Sequence, residues 1–227
     1  GYVPHRAPRA AYAAMITRMD RDIGLIVHEL KRLGLYENTL IMFSSDNGPT
    51  FNGGTDSDFF ESSKPFSGRK CSLLEGGIRV PMIVKWPGKT EAGTVCREPV
   101  ISPDIYPTLL EMAGLPALPE QSADGVSLVP ALLGKPFTRG PIFWHFPHYS
   151  NHGMQSPGGA VRAGDFKLLE YFENDTVQLF NLKDDIGEQN DLSKTEPEKA
   201  AELRSMLHAW REDVSARMME PNSKYAP

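Results

Sequence analysis

Cysteine is nearly absent: the 227 residues contain two, Cys71 and Cys96. That is too few for a disulfide scaffold, and the spacing matches neither a zinc site nor a redox pair. No window approaches the roughly 20 uninterrupted apolar residues of a membrane-spanning helix. Basic residues are not in excess; the formal charge is −5 and the lysines and arginines are scattered, so there is no electrostatic footing for nucleic acid. The first eight residues hold neither an initiating methionine nor the apolar core of a secretory leader, and the expectation is that sequence is missing upstream. Internal repeats and low-complexity tracts are lacking too. What remains, 40% hydrophobic and 23% charged, is the composition of a globular chain long enough for one domain and a smaller appended one.

Between Arg9 and Leu33 apolar residues fall at Tyr12, Met15, Ile16, Met19, Ile23, Ile26, Val27, Leu30 and Leu33. These steps of three and four predict an amphipathic helix, with Pro8 suited to its first turn and Gly34 to its stop. Thr39 to Phe43 is a nearly unbroken apolar run ending in Ser44-Ser45-Asp46-Asn47-Gly48. Such a run reads as a strand buried on both faces, of the kind found in parallel sheets, with Asp46 and Asn47 at the carboxyl end where such sheets bind ligands. Residues 49–68 read as a long functional loop, 80–86 as a second strand of the same parallel sheet, and Asp104 to Met112 as a helix stopped by Gly114. After Pro136 short segments at 142–144, 160–162, 166–171 and 177–180, separated by polar turns, predict a small antiparallel sheet. A last helix is expected to open on a capping box of Thr195 and Glu198 and to bury Leu203, Leu207, Trp210 and Val214. The organisation expected is 1–135 as α/β core, 136–220 as a small C-terminal α+β subdomain, and 221–227 as a frayed tail.

An Asp-Asn pair at a strand tip offers two adjacent hard oxygen ligands, suited to Ca²⁺, less to Mg²⁺, and poorly to zinc. Asp-Asn-Gly is equally a common turn. The next features decide how to weigh it: Gly68-Arg69-Lys70, then Glu75-Gly76-Gly77-Ile78-Arg79-Val80-Pro81 ahead of a strand closed by Trp86-Pro87-Gly88. In this order the motifs resemble the sulfatase family, and within it the arylsulfatase and N-acetylgalactosamine-6-sulfatase branch. The resemblance continues through Asp104-Ile105-Tyr106-Pro107-Thr108, Asp124-Gly125-Val126-Ser127-Leu128, Gly164-Asp165-Phe166-Lys167-Leu168 and Asp185-x-x-Glu188-x-x-Asp191-Leu192.

The resemblance implies an α/β, alkaline-phosphatase-like core, here partial, carrying a C-terminal antiparallel sheet and helix. It implies hydrolysis of sulfate esters of carbohydrate or aryl compounds, with Asp46 and Asn47 as calcium ligands and Lys70 as the catalytic lysine that contacts the sulfate. A cation and an ammonium aimed at the ester stabilise the charge that grows on the leaving oxygen. It further implies a formylglycine nucleophile made from Cys or Ser within Cys/Ser-x-Pro-x-Arg, which occurs nowhere in these 227 residues. That motif, and an Asp-Asp pair of further calcium ligands, are expected in a missing N-terminal part. The fragment is therefore expected to be inactive alone, and to oligomerise or to dock with that part. A periplasmic, extracellular or lysosomal location is implied by the family alone.

Cys71 stands where the family usually has glycine and reads as small-residue packing. Glu75, Arg79 and Asp104 read as structural. His145 and His148, in an aromatic segment with His152 close behind, are candidates for binding substrate or protonating a leaving oxygen; the alternative is an aromatic cluster at a strand end. His5, His28 and His208 read as surface residues. Two other readings stay open: a phosphodiesterase or phosphonate hydrolase of the same superfamily, and a non-catalytic module that binds sulfated glycans.

Overall fold

The computed structural model describes residues 3–117, 124–150 and 155–220. The order of helices and strands is α1 (Pro8–Arg32), β1 (Ile41–Ser44), α2 (Glu75–Ile78), β2 (Met82–Lys85), α3 (Ile105–Met112), α4 (Val129–Leu132), β3 (Ile142–Phe146), β4 (Gly158–Ala163), β5 (Phe166–Tyr171), β6 (Thr176–Asn181) and α5 (Pro197–Asp213). They form two compact units, neither contiguous in sequence: Gly1–Ala14, Ser45–Pro81 and Pro141–Pro227 in one, Met15–Ser44 and Met82–Gly140 in the other. The expected tail at 221–227 and His152 lie outside the described residues.

The first unit is built on β3-β4-β5-β6, an antiparallel meander in chain order. Its two faces follow from period-2 alternation. Val161, Leu168 and Leu179 turn to one face and meet Ala200, Leu203 and Leu207 of α5; Ala160, Leu169 and Phe180 turn to the other and meet Leu73 and Leu182. Trp210 stacks flat on Phe143, with ring centroids 5.0 Å apart. Each face also carries one buried charge. On the α5 face, Glu170 accepts bonds from Arg204 Nε at 2.7 Å and Arg211 Nη2 at 2.5 Å, and its Oε1 lies 2.7 Å from His208 Nε2. His208 is exposed, as expected, and is also tied to the sheet through Glu170. On the Leu73 face, Lys167 is fully buried, and its partners belong to the candidate site below.

In the second unit β1 and β2 pair antiparallel, Ile41 opposite Lys85 and Ser44 opposite Met82. The parallel pair expected from the sequence is therefore corrected. An unbroken apolar run does not encode strand direction, and the burial on both faces expected of it is not found either: neither strand has a buried residue and Ile83 is exposed. The only α-helix between the two strands, four-residue α2, is far short of a βαβ crossover. Asp104 organises this unit: fully buried, it accepts from the amides of Ile101 at 2.8 Å and Val126 at 2.9 Å and pairs with buried Arg139. Thr108 extends the network by donating to the Asp104 carbonyl at 2.6 Å and accepting from the Leu128 amide at 2.8 Å. Asp104 and the Asp124-to-Leu128 motif are thus one structural device, in keeping with the reading that leaves Asp104 out of the chemistry.

Helix ends follow their stop signals. At α1, Gly34 takes φ +70° and the Leu35 amide reaches back to Leu30 O at 2.9 Å; at α3, Gly114 takes φ +67° and Leu115 reaches Leu110 O at 2.9 Å. These are paired left-handed stops of the Schellman kind. The capping box expected at α5 is not formed. The helix starts at Pro197 with Glu196 before it and no side-chain cap, and the Thr195 hydroxyl donates to Leu192 O at 3.2 Å, because Pro197 at the first helical position moves the start one residue past Thr195. Val214, expected to be buried, lies just beyond the helix and is exposed.

Burial alone would raise the pKa of Glu170, but the hydrogen bonds from His208, Arg204 and Arg211 outweigh it and hold the carboxyl at about 2. A depressed carboxyl contributes stability that is complete above its ordinary pKa of 4.5 and is lost as pH falls through 2. The loss is on the order of 3 kcal/mol. Glu188 titrates with the opposite sign, since burial raises it, so the contribution of Glu170 is read as the difference between wild type and Glu170→Gln. In urea melts that difference should be about 3 kcal/mol at pH 7 and shrink towards zero between pH 4.5 and 2.

Candidate functional site

Immediately after β1 the chain turns through Ser45-Asp46-Asn47-Gly48-Pro49. Asp46 Oδ1 accepts the Asn47 amide at 3.0 Å, and Asn47 Nδ2 donates to Gly48 O at 3.0 Å. Asp46 Oδ2 and Asn47 Oδ1 keep free acceptor capacity among the described residues. A carboxylate oxygen and an amide oxygen on consecutive residues fit a hard divalent cation. No group of three or more His, Cys, Asp or Glu placed to hold a metal occurs among the described residues, so this chain would supply only part of a coordination shell.

The loop that follows returns to the same place. The Lys70 amide donates to Pro49 O at 2.9 Å, the Gly48 amide to Gly77 O at 2.8 Å, and the Gly76 amide to Ser67 O at 2.7 Å. Glycine makes this closure possible. A Cβ on Gly48 would stand 1.9 Å from Gly76 O, one on Gly76 2.3 Å from Gly68 O, and one on Gly77 2.1 Å from Ser72 O. Three strands of backbone thus touch where no side chain fits, which fixes Lys70 against the Asp46–Pro49 turn. Lys70 is half-buried, and its ammonium makes no ion pair among the described residues. The neighbouring Arg69 is engaged: Nη1 donates to Ser57 Oγ at 2.8 Å and Nη2 to Asp58 Oδ1 at 2.9 Å.

Cys71 has φ +71°. The position needs a left-handed backbone, which is the physical reason glycine suits it, and reading Cys71 as mere small-residue packing misses that constraint.

Behind the turn, Glu75 is held from several sides: Lys167 Nζ lies 2.9 Å from its Oε1, with Arg79 at 3.3 Å and Arg162 at 3.8 Å from Oε2. Burial raises its pKa, but Lys167 first, then Arg162 and Arg79, more than offset this and leave it below the usual carboxylate range. Lys167 also meets Glu188 at 2.8 Å, and Glu188 Oε2 accepts the Glu75 amide at 2.6 Å. Glu75 and Arg79 are therefore structural, as the sequence reading has them. The supporting role of Lys167 and Glu188 is what that reading misses. Its one signal is a lysine in the middle of an apolar strand, Phe166-Lys167-Leu168-Leu169.

His145 lies in β3 with Nε2 at 2.8 Å from Arg217 O, its ring 5.7 Å from Phe172, and Nδ1 buried without a partner among the described residues. His148 is exposed and lies edge-on to Phe146 at 5.8 Å. The structure ties the Lys70 backbone to Pro49, at the end of the turn that carries Asp46 and Asn47, and among the described residues records no contact from either histidine to these three.

The family profile described as "Sulfatase" matches residues 4–115, and that of "N-sulphoglucosamine sulphohydrolase, C-terminal" matches 68–216. The chain belongs to the sulfatase family. Among its relatives, a sulfatase of Formosa agariphila is 33% identical over 90% of this chain and 40% of its own length. The N-acetylgalactosamine-6-sulfatase of Canis lupus familiaris is 35% identical over 60% of this chain and 26% of its own length. The crystal structure of Ps i-CgsB in complex with k-i-k-neocarrahexaose superimposes with a TM-score of 0.79 at 31% identity, covering 96% of this chain and 46% of that one. The fold is thus the alkaline-phosphatase-like α/β fold of sulfatases, with its C-terminal antiparallel sheet and helix. This chain spans less than half the length of these relatives.

Replacing Gly77 by Ala should cost about 3 kcal/mol in chemical denaturation, because the atoms its Cβ meets are backbone and cannot step aside. Cys71→Gly should do the reverse and stabilise by about 0.5–1 kcal/mol, the relief of a left-handed side chain less the added flexibility of glycine.

Proposed function

We propose that this chain carries one side of the active site of a sulfate-ester hydrolase that acts on sulfated carbohydrate. The observation that supports this most directly is the closure of the Asp46–Pro49 turn onto Lys70, in a chain of the sulfatase family. The ester is anionic before reaction and becomes more so at the leaving oxygen as the S–O bond breaks, and the Lys70 ammonium, which makes no ion pair among the described residues, serves to hold the sulfate oxygens through that change. Asp46 and Asn47 would hold a Ca²⁺ ion, which supplies Lewis-acid stabilisation of the same charge. Its remaining ligands come from water and from parts of the sulfatase fold that this chain does not span. His145, bonded to a backbone carbonyl and tilted against Phe172, serves better as part of the wall of a sugar site than as a proton donor; exposed His148 belongs to the same wall. The relatives named N-acetylgalactosamine-6-sulfatase, and the neighbour bound to a carrahexaose, favour carbohydrate over simple aryl esters. A periplasmic, extracellular or lysosomal setting belongs to the same proposal.

No turnover is expected from these 227 residues, because the nucleophile motif is not among them. α1 has no buried residue, and its apolar stripe leaves Met15, Ile16, Met19 and Ile26 exposed, the kind of face that marks an interaction surface. Self-association through such faces is therefore part of the proposal, and a monodisperse monomer in light scattering would count against it.

Calorimetric titration tests the site itself. The chain should bind CaCl₂ weakly and lose that binding in Asp46→Ala; sodium sulfate should bind wild type and not Lys70→Ala. Calcium binding unchanged in Asp46→Ala would overturn the site assignment, and release of sulfate from an aryl sulfate ester by this polypeptide would overturn the expectation of no turnover.

A further inference from the structure

The segment that carries Lys70 is gripped from behind by the C-terminal sheet and the turn after it. Ser67 Oγ donates to Gly187 O at 2.6 Å and accepts from Gln189 Nε2 at 2.7 Å. The buried Leu73 amide donates to Gln155 Oε1 at 2.9 Å. The Glu75 amide donates to Glu188 Oε2 at 2.6 Å, and Lys167 stands between the two carboxylates at 2.9 and 2.8 Å. These contacts are spread over residues 67–75, both sides of Lys70, and all come from residues 155–189.

The ion cluster is costly to build. Lys167 and Glu188 have fully buried side chains and Glu75 is nearly so, and Glu188 takes φ +53°, a left-handed backbone at a residue with a side chain. A buried ion pair adds little stability compared with apolar residues of the same volume. A sheet that already has two apolar faces has no need of one for its own core. What the cluster does provide is direction. Its bonds run from β5 and the turn after β6 to one backbone amide and one carboxylate of α2, the turn whose Gly76 and Gly77 pack against Gly48 and Gly68.

We infer that Lys167, through Glu75 and Glu188, is a positioning residue for Lys70: the C-terminal sheet holds the lysine-bearing turn in register with the Asp46-Asn47 pair. The inference rests on the proposed role of Lys70 for its functional meaning, but the mechanical claim stands apart from it. Removing the Lys167 charge leaves two carboxylates facing each other at the back of the turn, which frees α2 and, through the glycine contacts, releases Lys70 from Pro49 and Gly48 from Gly77. The sheet keeps its apolar faces and its packing on α5.

Amide hydrogen exchange on the 227-residue chain distinguishes this from general destabilisation. In Lys167→Met, protection at the Lys70, Gly48 and Gly76 amides should fall roughly tenfold or more, while that of Leu203, Leu207 and Leu179 changes less than about twofold. Ser67→Ala removes a second anchor at a partly exposed position and remains testable if Lys167→Met does not fold; it should loosen the same three amides and spare α5. Equal loss at all six amides would reduce the cluster to ordinary stability, and unchanged protection at Lys70 and Gly48 would show that the turn holds itself; either overturns the inference. A parallel titration with sodium sulfate separates the two readings. Wild type that fails to bind sulfate while Lys167→Met still loosens the turn refutes the role of Lys70 and leaves the positioning role intact.

Discussion

A lysine ammonium buried between two carboxylates, Lys167 with Glu75 and Glu188, is the constraint on which the first unit depends. It converts two sequence-distant stretches, 45–81 and 141–227, into one compact body, because a charge sealed from water must keep its partners or pay several kcal/mol for desolvation. Around it the design is simple. One face of the antiparallel sheet takes α5 and the other takes Leu73 and the α2 turn, and each face carries one buried charged residue: Glu170, whose partners Arg204, His208 and Arg211 all lie on α5, and Lys167, whose partners are Glu75 of α2 and Glu188 of the turn after β6. Apolar burial holds the layers together; the charged groups determine which segment lies where.

The candidate site is built almost entirely from backbone. Gly48, Gly76 and Gly77 allow three chain segments to touch, and the amides of Gly48, Gly76 and Lys70 close the gap. The chemistry-bearing groups, the Asp46 carboxylate, the Asn47 amide and the Lys70 ammonium, project from this frame with little to hold them on their own account. That arrangement suits a site whose ligands are a cation and an anion, each needing charges placed beforehand rather than induced. The histidines are organised differently. His145 is tied to Arg217 O and sits beside Phe172 on the sheet edge, with no contact to the charged frame among the described residues.

Much of this was legible in the residues. The Asp-Asn-Gly turn, the Gly-x-Lys and the Glu-Gly-Gly-x-Arg motif are local, and their meaning is local: glycine where backbones touch, oxygen-bearing side chains on adjacent residues. The four strands after Pro136 and the helix ends at Gly34 and Gly114 were legible for the same reason, since alternation and left-handed stops are properties of a few consecutive residues. The capping box failed because Thr195 and Glu198 carry the right spacing, yet Pro197 sets the helix start. The direction of β2 failed because apolar runs do not encode which way a neighbouring strand runs.

By itself the sequence determined the family, the positions of Asp46, Asn47 and Lys70, and the reading of Asp104, Glu75 and Arg79 as structural, all of which depend on residue type and short spacing. Only the tertiary structure decided that β1 and β2 are antiparallel, that Cys71 occupies a left-handed position, that His208 and both arginines of α5 serve Glu170, and that Lys167 reaches across the fold to the turn bearing Lys70. Apart from the backbone of Cys71, those are pairings between residues tens of positions apart, 92 between Glu75 and Lys167, and for the charged pairs burial is the reason: a charge excluded from water must find its partner wherever the folded chain brings one within reach.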